Sequence, residues 1–271
     1  MNYRHAFHAG NFGDCMKHAL LIALLGALQK KPGGLFVLDT HAGVGRYDLD
    51  AGPASRTGEW RAGIGRLLDY APLELDSYVG LVRKLGLYPG SPCIIRALLR
   101  AQDRLTCCEL HPNDAATLRR RFARDPQVAV HARDAWEAIC ALLPPKEKRG
   151  LVLIDPPFEA VDEFFQLAEA LRRGHARSPN FVFAAWYPIK HRAPVREFHA
   201  VMKQSGITDI VAADMWLRPT LDPSRLNGCG LLVVNPPFGF SSAAHDLLTA
   251  LSLTLADGPD AGCEIAVIAN E

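Results

Sequence analysis

Eight apolar runs recur along the chain, most closing on a turn or polar residue. They are GLFVLDTHAG (34–43), LTCCELH (105–111), VAVHARDA (128–135), GLVLIDPPF (150–158), FVFAAWYP (181–188), DIVAADMWL (209–217), CGLLVVNPP (229–237) and CEIAVIAN (263–270). Near-continuous hydrophobicity of this kind reads as strands buried on both faces. Stretches with helical patterning lie between most of them, such as NDAATLRRRFA (113–123) and FFQLAEALRRG (164–174). The alternation predicts an α/β fold, a doubly wound, mostly parallel sheet with helices on both faces. One interval breaks the rhythm: about sixty residues separate the first two runs, about twice what a βα unit needs. Within it Trp60, Ile64, Leu67 and Leu68, then Leu75, Tyr78, Val79, Val82 and Leu85, recur at helical spacing. Residues 49–92 are therefore expected to form a small helical insertion within one domain spanning 1–271.

Composition changes this picture little. At 271 residues, with 49% hydrophobic and 22% charged residues, the chain can bury a core without staples. A net charge of +1 gives no support of its own to nucleic-acid binding. Basic residues do cluster, at Arg119, Arg120, Arg121 and Arg124 and at Lys190, His191, Arg192 and Arg196. Such clusters are ordinarily solvated surfaces unless they gather on one side. The seven cysteines are odd in number and contain no CxxC pair, which predicts reduced thiols and no metal site. The longest apolar run, ALLIALLGAL (19–28), is too short to span a bilayer. A cytoplasmic protein without membrane contact is expected, acting as a monomer.

Ligands of open α/β sheets bind beyond the carboxyl ends of the strands, so the residues there are the candidates. The first run closes on DTHAGVGRYD (39–48), where Gly43 and Gly45 permit a tight turn. A dinucleotide fingerprint would need a third glycine where Asp48 stands. The second run ends in Glu109, a carboxylate able to accept from both hydroxyls of a ribose. The third ends in Asp134, able to accept from an adenine amino group. Either acid could equally be a loop residue or a helix cap. The fourth run stops on DPPF (155–158), and the seventh nearly repeats it as NPPF (235–238). Proline cannot donate to a sheet ladder, so both copies must end a strand abruptly. Asn235 is neutral and follows a strand far from the cofactor-side strands, so NPPF reads as a structural strand end.

A DPPF closing the fourth strand resembles the catalytic motif of amino-methyltransferases acting on adenine N6, cytosine N4 or glutamine. The order Asp/Gly, Glu, Asp and DPPF over four strands is similar to S-adenosylmethionine (SAM)-dependent methyltransferases. NYRHAFHAGNFGDCMKH (2–18), LDTHAGVGRYDL (38–49), RTGEW (56–60), YPGSP (88–92), ELHP (109–112), KRGLVLIDPPFE (148–159), WYP (186–188) and NPPF together resemble the RlmJ family of 23S rRNA (adenine-N6)-methyltransferases over nearly the whole chain. The resemblance implies a Rossmann-like class I SAM-dependent methyltransferase fold, SAM as methyl donor and an rRNA adenine as acceptor. It places the cofactor contacts on Lys17, His18, His41, Ser91, Glu109, Asp134 and Asp155, beside the turn at Gly43. Asp155 and the Pro156 carbonyl would orient the amine and Phe158 would stack on the base. Tyr3 would engage the RNA, with Arg4, His5 and His8 beside it. Phe158 stands where many relatives carry tyrosine, which keeps stacking but removes any hydroxyl contact.

Rival readings are a DNA or protein amino-methyltransferase and a SAM- and RNA-binding protein without catalysis; an intact Asp155 argues against the latter. A nicotinamide-dependent enzyme conflicts with Asp48. Because the net charge is near zero, RNA binding must rest on local basic residues, and Arg4, Arg56 and Arg61 are expected on the substrate side.

Overall fold

The structure is a computed structural model describing residues 4–270; Tyr3 lies outside them. Its strands are β1 (Phe36–Asp39), β2 (Arg46–Tyr47), β3 (Tyr88–Pro89), β4 (Arg104–Glu109), β5 (Val128–Ala132), β6 (Gly150–Ile154), β7 (Val182–Ile189), β8 (Ile210–Trp216), β9 (Gly228–Val234) and β10 (Gly262–Ala269). Its α-helices are α1 (Phe12–Gln29), α2 (Gly52–Thr57), α3 (Arg66–Asp69), α4 (Asp76–Leu85), α5 (Ser91–Leu98), α6 (Pro112–Arg121), α7 (Ala135–Leu142), α8 (Glu163–Arg177), α9 (Arg192–Lys203) and α10 (Phe240–Leu255).

All eight apolar runs form the main sheet, in the order β10-β8-β9-β7-β6-β1-β4-β5. From β5 to β7 neighbours are parallel, whereas β9 runs antiparallel to both β7 and β8, and β10 antiparallel to β8. Alternation within each strand divides the core. Val37, Leu105, Leu151, Leu153 and Ala184 face α1, α5 and α10, while Leu38, Val152, Ile154 and Phe183 face α7, α8 and α9. Helix α1 owes its start to Asn11, whose side chain accepts from the Asp14 amide. Twelve of its eighteen residues are buried, so the apolar run at 19–28 is a core helix. No helix among the described residues is long and apolar enough to cross a membrane. The seven cysteines are all free.

Residues 49–92 hold α2, a five-residue π-turn at Arg61–Gly65, α3, a 3-10 turn at Leu73–Leu75 and α4. Ile64, Leu67, Leu75, Tyr78, Val79 and Val82 are buried, as the periodicity predicts. The β2–β3 ribbon at its base left no pattern in the sequence, because two paired residues per strand are too few to show one. The segment docks on the N-terminal arm backbone to backbone. Ile64 N donates to Gly10 O at 2.8 Å, and a Cβ on Gly63 would lie 2.2 Å from that same oxygen. Glycine alone allows this approach.

Candidate active site

Strand direction decides what gathers at the site. The strands from β5 to β8, apart from reversed β9, end at one edge, and the residues after them line one cavity of about 950 Å³. These are Gly43 and Val44 after β1, Leu110 and His111 after β4, Asp134 and Trp136 after β5, Asp155 to Phe158 after β6, Lys190 after β7 and Leu217 and Arg218 after β8. The N-terminal arm adds Arg4, His5 and His8, and α1 adds Asp14, Lys17 and His18.

At the centre, Lys17 Nζ lies 2.8 Å from Asp14 Oδ1 and 2.5 Å from Asp155 Oδ2. Asp14 Oδ2 in turn meets His5 Nε2 at 3.1 Å and accepts from Gly10 N at 2.9 Å. Burial alone would raise the Asp14 carboxyl, but His5 and Lys17 outweigh it and hold it well below the usual carboxylate range. Burial likewise opposes charge on Lys17, yet Asp14 and Asp155 keep its ammonium well above its ordinary value. The expected cofactor contact Lys17 is thus a cation sandwiched between two carboxylates, one of them in DPPF. Asp14 went unnoticed in the sequence; its spacing of three from Lys17 on one helix face was the available signal.

Phe158 has a left-handed backbone, φ 52°, which costs a non-glycine residue about 1–2 kcal/mol. That conformation turns its ring against Phe164 (centroids 4.9 Å) and towards Trp186 (6.1 Å, interplanar 69°). Trp186 and Pro188 line the cavity while Tyr187 between them is buried on the other face of β7, as strand alternation requires. The WYP motif therefore contributes cavity wall at its first and third positions. NPPF behaves differently. Because β9 is reversed, Val234 pairs with Phe183 near the start of β7, and Asn235 sits at the opposite edge of the sheet from Asp155. Its amide donates to Pro179 O and Phe181 O, both at 2.7 Å, and Phe238 is fully exposed.

The glycine turn and Glu109 form one unit. Glu109 Oε2 accepts from Gly43 N at 2.9 Å and Oε1 from His111 N at 2.8 Å. Burial raises its carboxyl, and these two amides counter the shift. Gly43 holds φ 59°, and a Cβ there would meet the Tyr47 hydroxyl at 2.4 Å. Asp134 is both a lining residue and a helix cap, accepting at Oδ1 from Trp136 N and Glu137 N. Ser91 donates to Asp39 Oδ2 at 2.7 Å. Asp39, the Asp that closes β1 in the four-strand order of the sequence, is fully buried and its carboxyl is pushed up to about 7 by burial. His41 Nδ1 lies 2.8 Å from Thr40 Oγ1 and 3.4 Å from Asp155 N, and the ring meets Trp136 edge-on.

His18 Nδ1 pairs with the Tyr88 hydroxyl at 3.0 Å, while Nε2 is buried without a hydrogen-bond partner among the described residues. Burial pushes His18 down to about 3 and His41 down to about 4 from 6.5. The unfolded chain thus takes up protons below pH 6.5 that the folded one refuses, so stability is expected to fall as pH drops from about 6.5 towards 4. His18→Gln should flatten that slope in denaturant midpoints measured across the pH series. Equal slopes in the two proteins would contradict a neutral, buried His18.

The expected RNA contacts are mixed. Arg4 lines the cavity, with Nη2 3.2 Å from His111 Nε2. His5 is bound to Asp14, and His8 Nδ1 to Glu59 Oε1 at 2.8 Å, a hydrogen bond that raises its pKa. Both histidines therefore also tie the arm down. Arg56 and Arg61 are not among the lining residues, and Arg61 lies over the Trp60 ring at 5.3 Å. The insertion directs Glu59, Ala62 and Arg66 to the cavity.

A doubly wound sheet with a reversed strand inserted beside its last parallel one, and a glycine turn and acidic strand ends on one side of DPPF, is the architecture of class I SAM-dependent methyltransferases. The residues present are chemically compatible with the cofactor, Glu109 offering a carboxylate that can accept from a ribose and Gly43 leaving room for close approach. Residues 32–266 match the family model described as Ribosomal RNA large subunit methyltransferase D, RlmJ. The chain is 39% identical to Ribosomal RNA large subunit methyltransferase J of Haemophilus influenzae, over 94% of both proteins. It is 36% identical to the protein of that name in Escherichia coli, over 92% of this chain and 91% of that one. The crystal structure of protein LPL1258 from Legionella pneumophila superposes with a TM-score of 0.88 at 32% identity, covering 96% of this chain and 98% of that one. The chain belongs to the RlmJ family.

Proposed function

We propose that this methyltransferase modifies N6 of an adenine in 23S rRNA, with SAM as donor. The observation that carries the reading is Asp155–Pro156 at the end of β6, between the Phe158–Trp186 aromatic wall and the Glu109–Gly43 unit in one cavity. SAM, when bound, supplies an electrophilic methyl group. The amine that receives it is a poor nucleophile, its lone pair being delocalised into the ring. The Asp155 carboxylate and the Pro156 carbonyl accept from its two N–H groups, favour rehybridisation and stabilise the positive charge that develops on nitrogen. Phe158 and Trp186 offer the extruded base a face and an edge. Lys17 holds the Asp155 carboxyl in place through its contact at Oδ2. Residues 49–92 serve as a subdomain that braces the N-terminal arm over the substrate side. The enzyme works as a cytoplasmic monomer without a metal, a state that sedimentation would test. The deciding experiment is labelled SAM with 23S rRNA followed by nucleoside analysis. N6-methyladenosine supports the reading, and label in DNA or in protein alone overturns it.

Glu109→Gln is expected to weaken SAM binding about tenfold or more in calorimetry, since a charge-assisted hydrogen bond contributes about 1.5–3 kcal/mol. The new amide NH2 would face either the Gly43 or the His111 N–H, donor against donor. Unchanged affinity would remove Glu109 from the cofactor site.

A further inference from the structure

The sheet order divides the cavity at β6. On one side stand β1, β4 and β5 with Gly43, Glu109 and Asp134; on the other stand β7, β9 and β8. Neither the cofactor nor the target base accounts for this second arm. Lys190 follows β7, Leu217 and Arg218 follow β8, and Ser224, Arg225 and Leu226 lead into β9. Arg66 comes from the insertion, and Leu255 and Asp257 from the end of α10. Four cations thus stand beside Asp257 in a chain whose net charge is only +1, while Glu59 of the insertion is taken up by His8 and Asn11, and Glu159 and Glu163 line the cavity after β6.

Those cations are not equivalent. Arg218 is committed: Nε and Nη2 bind Asp257 Oδ2 at 2.8 and 2.7 Å, and Nη1 donates to Leu226 O at 2.7 Å. It braces the loop and cancels Asp257. Arg225 pairs loosely, with Nη2 3.7 Å from an Asp257 already taken by Arg218 and with Asp222 beside it. Among the described residues the Arg66 side chain is held by Ala256 O at 3.2 Å, and exposed Lys190 has no ion-pair partner. Buried Leu217 and half-buried Leu226 give the arm an apolar floor.

We propose that this arm holds the nucleotide next to the target adenine, with Lys190 and Arg225 on its phosphodiester and Arg66 closing from the insertion. An extruded base remains joined to phosphates on both sides. This arm continues the cavity on the side of β6 away from the cofactor-side strands, with Lys190 and Arg66 free of ion pairs among the described residues. The proposal rests on the RNA reading above.

The test uses Lys190→Ala/Arg225→Ala, both exposed positions away from the core. Binding to a single-stranded oligoribonucleotide carrying one adenine is measured against salt, beside binding to adenosine. The double variant should bind the oligonucleotide more weakly, with a log–log salt slope smaller by about 1.4, at about 0.7 per lost phosphate contact. Adenosine and SAM affinities should not change. Lys190→Arg/Arg225→Lys should restore the slope, which a merely structural role would not require. A wild-type slope in the alanine variant, while the wild-type enzyme still methylates rRNA, overturns this inference alone. A wild-type enzyme that neither binds nor methylates RNA overturns the reading beneath it as well.

Discussion

Asp155→Ala is expected to lower the rate of methyl transfer by about a hundredfold or more, with SAM still bound and the fold intact. The lost carboxylate acts where charge develops, and removing one preorganised group of that kind costs on this order. The fold should survive because Lys17 keeps Asp14 at 2.8 Å, so a balanced pair remains where three charges stood. Single-turnover transfer to rRNA, with a thermal melt beside it, checks both halves. A variant with wild-type turnover would refute the role of Asp155. Asn235→Ala supplies the internal contrast. It should leave transfer intact and cost stability, since two carbonyls lose their donor and alanine must take φ 53°.

Lys17→Met should do the reverse damage, striking the fold harder than Asp155→Ala does. Removing the cation leaves two carboxylates facing each other in a site where Lys17 itself is 4% exposed, and breaking a buried ion pair in this way costs about 3–5 kcal/mol. The pH dependence identifies the cause. In the wild type Asp14 is held below its unfolded value of 3.8, so its stabilisation is present above that pH and is lost as pH falls through the folded value. In the variant the two carboxylates keep only His5 and the Gly10 amide, both on Asp14, and their mutual repulsion favours taking up a proton. Acidification towards pH 4 should then recover stability relative to neutral pH. Melting temperatures from pH 8 to pH 4 would show this recovery in the variant, whereas Asp14 in the wild type, held below 3.8, contributes no slope over that range. A variant that loses stability with acid as the parent does would mean that Lys17 does not neutralise the pair.

The sheet was legible because strands buried on both faces leave unbroken apolar runs, and each of the eight took its place. The candidate residues on strand ends were legible for the same reason, since the end of a parallel strand fixes an address. Asp14 and the basic arm were not. Asp14 is read only once α1 and β6 are known to face each other, and Arg66, Lys190 and Arg225 come from three elements far apart in sequence. Arg56 and Arg61 do not line the cavity, whereas Arg66 of the same insertion does, and nothing in the pattern marks the Ile64–Gly10 backbone hydrogen bond that docks the insertion.

The reversed β9 has a consequence for engineering. Asn235→Asp would give the chain two letter-perfect copies of DPPF and still a single catalytic centre. The second copy opens on the opposite shore of the sheet from Gly43, Glu109, Asp134 and the Phe158–Trp186 wall. A search by pattern would count two sites in such a protein; a compass needle laid along each strand would count one.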